Sequence, residues 1–74
     1  MDWEHLNLDY EPTEAREEVI LALASSMSYK EICHQRGISY RSLQDMVLRI
    51  RARTGARDRF EVCIWAVKKG LVKI

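Results

Sequence analysis

Seventy-four residues, 47% of them hydrophobic and 31% charged, suffice for one small domain and not for two. A chain of this size buries only about 60% of the surface its unfolded form exposes, so an enclosed active site has little room. No Ser-His-acid order, glycine-rich phosphate loop or paired carboxylates supply catalytic residues, which excludes an elaborate enzyme.

The net charge of +1 conceals a segregation. Residues 1–18 hold seven acids (Asp2, Glu4, Asp9, Glu11, Glu14, Glu17, Glu18) against Arg16, a net of −6, and residues 19–74 carry a net of +7. Seven arginines fall between positions 36 and 59, and the planar guanidinium fork suits phosphate because it donates two parallel hydrogen bonds to one anion. No apolar run approaches the roughly 18 residues of a membrane span, and Met1-Asp2-Trp3-Glu4 lacks the order of a signal peptide, so the expectation is a cytoplasmic protein.

In chain order, residues 1–11 set Trp3, Leu6, Leu8 and Tyr10 among acids and read as an acidic N-terminal extension, without an assigned conformation, ahead of one domain over 12–74. Thr13 is a predicted N-cap, with Glu14, Glu17 and Glu18 near the positive end of the first helix, which runs to about Ser25 with Val19, Ile20 and Leu23 inward. Ser28-Tyr29-Lys30-Glu31 is a capping box that opens a second, short helix ending at Gly37. Ser39 caps a third helix through Leu43, Met46, Val47 and Ile50, spaced i, i+3, i+4 and i+7, that stops at Gly55. Asp58 and Glu61 repeat the capping-box pattern before Val62-Cys63-Ile64-Trp65-Ala66-Val67, apolar on every side, and Gly70 ends that fourth helix. The fold class is therefore all-α, with four helices.

A short capped helix, a three-residue turn with Gly37 left-handed and Ile38 at the corner, and a second helix capped by Ser39 make a helix-turn-helix signature. Such a pair is built so that the second helix fits the major groove of B-DNA while the first crosses the backbone. The chain here also resembles the LuxR-type (NarL/GerE-like) helix-turn-helix domain. The matching stretches are Arg16-Glu17-Glu18-Val19, Ser28-Tyr29-Lys30-Glu31-Ile32, Gly37-Ile38-Ser39-Tyr40-Arg41-Ser42-Leu43, Thr54-Gly55-Ala56-Arg57-Asp58-Arg59 and Lys68-Lys69-Gly70-Leu71-Val72, covering 13–72.

That resemblance implies a stand-alone transcription regulator, binding duplex DNA as a homodimer paired through its fourth helix and needing no cofactor. Carried over by position, Gln44, Asp45, Leu48 and Arg49 would meet base edges, and Lys30, Arg41, Ser42, Arg53, Arg57 and Arg59 would lie near phosphates. The pairing surface would comprise Ile64, Trp65 and Lys68. Two positions depart from the family in the scaffold: Ser26 stands where glycine is frequent, and Arg36 where a core leucine is expected, so a carboxylate of the extension is the expected partner of Arg36. The alternative reading is a LuxR-fold adaptor or antagonist that acts mainly by binding another protein.

Individual residues allow two readings each. Gln44 can read adenine through N6 and N7; Asp45 either accepts from cytosine N4 or is a solvated acid; Leu48 either touches a thymine methyl or belongs to a protein-binding face. Trp65 either pairs with a second copy or is covered by Trp3 and Leu6 of the extension. His5, His34, Cys33 and Cys63 lack metal-ligand spacing, and the two cysteines are read as reduced core residues.

Overall fold

A computed structural model describes residues 3–72, so Met1, Asp2, Lys73 and Ile74, which end the two predicted segments and include two of the charges counted above, lie outside the described residues. Four helices follow in order: α1 (Glu14–Ala24), α2 (Tyr29–Arg36), α3 (Tyr40–Thr54) and α4 (Arg59–Lys69), with no strand among the described residues.

Each helix starts where a side-chain oxygen meets an orphan amide. Thr13 Oγ1 accepts from Arg16 N at 3.3 Å, Ser39 Oγ from Ser42 N at 3.1 Å, and Asp58 Oδ1 from Glu61 N at 2.9 Å. At α2 the box is reciprocal: Ser28 Oγ accepts from Glu31 N at 3.1 Å while Ser28 N donates to Glu31 Oε1 at 3.0 Å. Each such cap stabilises by about 1 kcal/mol relative to alanine. The expected reciprocal half is absent at α4, because the Glu61 carboxylate instead accepts from Arg57 N at 2.9 Å and pairs with His5 Nε2 at 2.7 Å.

Helix ends follow the glycines, all left-handed: Gly37 at φ 65°, Gly55 at φ 79° and Gly70 at φ 84°. The glycine-free end of α1 adopts the same backbone at Ser26, φ 66°, a conformation that costs an L-residue about 1–2 kcal/mol. Ser26 thus carries the strain that a glycine would relieve.

One core unites all four helices: Val19, Ile20 and Leu23 of α1, Ile32 of α2, Leu43, Val47 and Ile50 of α3, and Val62, Trp65 and Ala66 of α4 are buried together. Leu6 joins them at 7% exposure, with Trp3 and Tyr10 packed against the cluster, so residues 3–11 pack onto the domain. Residues 3–11 form a strap across the C-terminal end of α3 and the side of α4. Asn7 N donates to Thr54 O at 2.7 Å and Asn7 Nδ2 to Arg53 O at 3.2 Å, which satisfies carbonyls that α3 leaves without helical partners. Lys69 Nζ of α4 donates to Leu8 O at 2.6 Å and pairs with Glu11 at 2.5 Å.

The strap resolves the fate of Trp65. Its side chain is 0% exposed, its Nε1 donates to Asn7 O at 2.7 Å, and its ring lies 5.9 Å from that of Tyr10 at a 45° tilt. The sequence expectation that Trp65 forms part of a pairing surface is thereby corrected: this ring is covered from within the chain.

Candidate nucleic-acid interface

The α2–turn–α3 unit presents one face of α3 to solvent because Leu43, Val47 and Ile50 consume the other. Arg41, Gln44, Asp45, Leu48 and Arg49 all lie on that outer face, and all five are exposed. At 100° per residue they span less than half of the helix circumference. Among the described residues, none of these side chains has a hydrogen-bond or ion-pair partner, although Asp45 is flanked at i−4 by Arg41 and at i+4 by Arg49. Unspent donors and acceptors on a rigid helix are available to a ligand at no internal cost.

Two shallow clefts border this face. One, of about 380 Å³, lies between α2 and α3 and is lined by Tyr29, Arg41, Gln44, Asp45, Leu48 and Arg51. Leu48 is 56% exposed at its rim, an apolar group set among polar ones. The other, of about 240 Å³, lies between α1 and α3.

The basic residues divide into free and engaged. Lys30 in the first turn of α2, Arg53 in the last turn of α3 and Arg57 in the α3–α4 turn are exposed, and their side chains make no hydrogen bond or ion pair among the described residues, although the Arg57 charge also favours the Glu61 carboxylate; Ser42 is exposed and its Oγ accepts from Ser39 Oγ at 3.0 Å. Arg59 is not free. Its Nε and Nη2 donate to Leu23 O at 3.2 and 3.0 Å, Nη2 also donates to Met27 O, and the guanidinium lies 5.6 Å from the centre of the Tyr29 ring. Arg59 closes the glycine-free end of α1, whose last turn has no base of its own, and so spends its Nε and Nη2 donors inside the domain where a phosphate contact was expected. Arg51 donates to Arg57 O, and Arg36 pairs with Glu18 of α1 at 2.9 Å, where a carboxylate of the N-terminal extension had been the expected partner.

On α4, Ile64 is half-buried and Lys68 exposed, whereas Trp65 is enclosed. Phe60, at i−4 from Ile64, is 64% exposed and was not anticipated from the sequence, although its spacing from Ile64 and Lys68 marks the same outer stripe. Arg16 was also missed, because it stands in the acidic first quarter of the chain; only the tertiary fold brings it to one cleft with Ser42 and Arg49.

Two carboxyls are held below the ordinary range: Glu31 by the Ser28 amide and then its hydroxyl, and Glu61 by His5 and then the Arg57 amide. Both serve helix starts and neither lies on the outer face of α3. Cys33 and Cys63 are free thiols, half-buried, and no group of three or more His, Cys, Asp and Glu able to hold a metal occurs among the described residues. No helix among them is long and apolar enough to cross a membrane. The chain matches no family model, no curated protein and no solved structure.

Proposed function

We propose that this domain binds duplex DNA, with α3 entering the major groove, and acts as a transcription regulator. The observation that carries the reading is the outer face of α3, where Arg41, Gln44, Asp45, Leu48 and Arg49 stand exposed without internal partners on a helix whose opposite side is locked into the core. Gln44 reads adenine, Asp45 accepts from a cytosine amino group, and Leu48 meets a thymine methyl, each bidentate or well-placed contact discriminating by about 1–3 kcal/mol. Lys30, Arg53 and Arg57 supply sequence-independent attraction from positions flanking that face.

Two copies pair through the outer stripe of α4, with Phe60, Ile64 and Lys68 at successive turns and Trp65 excluded by its burial. The exposure of Phe60 supports this face. Pairing spaces two α3 helices about 34 Å apart, one turn of DNA.

The test is the salt dependence of binding to a labelled random-sequence duplex, followed by fluorescence anisotropy. Four neutralised phosphates per protomer give a log-log slope of about −3.6 for one copy and about −7 for two. A flat response, or no binding at low salt, removes the DNA reading and leaves an adaptor that uses the same face, with Leu48 at its centre, to hold another protein. Sedimentation at tens of micromolar tests the pairing: Phe60→Glu is expected to be monomeric and folded where the wild type is dimeric, and a monomeric wild type overturns it.

A further inference from the structure

Arg16 is the single base in the first 18 residues, and the fold carries it to the edge of α3. It lines the cleft between α1 and α3 together with Ser42, Asp45, Met46 and Arg49. Its position there is held: Nη1 donates to Tyr10 Oη at 3.4 Å, and the Tyr10 ring rests against buried Trp65. A guanidinium has five N–H donors, so this one contact leaves the rest of the fork unspent. Arg49, across the cleft, has no internal partner among the described residues.

Ser42 lines the same cleft as the two arginines. Ser39 Oγ accepts the Ser42 amide at 3.1 Å and donates to Ser42 Oγ at 3.0 Å, which leaves the Ser42 hydroxyl proton to point at a ligand. Two arginines and a serine thus line one open cleft of about 240 Å³. That is the donor set a phosphate diester takes, two charge-assisted contacts and one neutral one. Asp45 also lines the cleft, but it forms no ion pair with Arg16 or Arg49, and the two arginines outweigh its single charge.

We infer that this cleft is a backbone-phosphate site, in which Arg16 of α1 and Arg49 of α3 clamp one phosphate of the DNA strand beside the groove that α3 enters. The inference rests on the DNA-binding reading above. It gives the binding surface a third element, since α1 then contacts the duplex alongside α2 and α3. It also places a phosphate contact in the segment whose charge is otherwise acidic.

The experiment is the salt series on the labelled random-sequence duplex with the full chain. Arg16→Ala is expected to weaken binding about fivefold to tenfold at moderate salt, alike for all sequences, and to make the slope shallower by about 0.9 per protomer; Arg16→Lys keeps the slope. Tyr10→Phe removes the internal partner of Arg16 and keeps its charge, so it too keeps the slope. If Arg16→Ala leaves the slope of wild type while Arg41→Ala and Arg49→Ala make it shallower, the clamp is wrong and DNA binding stands. If Tyr10→Phe makes the slope as shallow as Arg16→Ala does, the loss comes from a loosened α1 and the clamp is overturned. If no variant changes the slope, or the wild type does not bind, the DNA reading itself has failed.

Discussion

The indole Nε1 of Trp65 donates to the carbonyl oxygen of Asn7 at 2.7 Å, across 58 positions of sequence, and so joins α4 to the strap. The ring that donates this bond is fully enclosed. Trp65→Ala removes it and leaves a cavity, for an expected loss of about 3–5 kcal/mol. Trp65→Phe retains most of the volume but orphans Asn7 O, for an expected loss of about 1–3 kcal/mol. Urea unfolding with sedimentation checks both. A folded, dissociated Trp65→Ala would instead place the ring in a subunit interface.

Arg57 and Arg59 sit two positions apart and are expected to behave in opposite ways. Arg59→Ala loses the bonds to Leu23 O and Met27 O and the face of Tyr29, so it lowers stability by about 2–3 kcal/mol. Duplex binding by the fraction that remains folded keeps its salt slope. Arg57→Ala makes the slope shallower by about one with little change in melting temperature. Equal behaviour of the two variants in both assays would contradict the division into engaged and free arginines.

Left-handed backbone gives two predictions of opposite sign. Ser26→Gly is expected to stabilise by up to about 1 kcal/mol, since the strain it relieves exceeds the added freedom of the unfolded chain. Gly37→Ala is expected to cost about 1–2 kcal/mol from backbone strain alone, because nothing lies within 4 Å of the added Cβ. Gly55→Ala is expected to cost more, because its Cβ would collide with the backbone oxygen of His5 and force the strap to move. Thermal melts of the three variants fix the order.

Acid should weaken the fold through Glu61 and Glu31, whose carboxyls are depressed in the folded state by His5 with the Arg57 amide and by Ser28 with its amide, respectively. A depressed carboxyl contributes its stability in full above its unfolded value, about 4.3, and loses it as pH falls through the lower folded value. Glu61→Gln is therefore expected to flatten stability against pH below about 5. An unchanged acid limb in both Glu61→Gln and Glu31→Gln would show that neither pair is formed in solution.

The four helices were legible because their signals are local: Thr13, Ser28, Ser39 and Asp58 as caps, and Gly37, Gly55 and Gly70 as stops, coincide with the observed ends. The outer face of α3 was legible for the same reason, since Leu43, Val47 and Ile50 set its inner side. What the sequence concealed was tertiary. Nothing near Arg59 tells that its guanidinium serves carbonyls 32 and 36 positions away, and charge counting hid Arg16 among acids. The apolar run at 62–67 did not tell which of its residues the chain covers itself, because periodicity counts apolar faces and does not say what covers them; Tyr10 packs on Trp65 here from an irregular segment, with Leu6 in the same core.

Asn7 closes the end of α3 by donating to the carbonyls of Arg53 and Thr54, while Lys69 reaches back to Leu8. During synthesis, residues 5–8 leave the ribosome ahead of every one of these partners and wait for them. The caps at Ser28 and Ser39 form within three residues of chain, but the strap cannot be fastened until Lys69 has emerged. An interrupted or truncated translation product therefore holds helix starts without the closure that fixes the far end of α3, and the apolar side chains of the strap stay uncovered in it. The strap is made before its partners and seated after them.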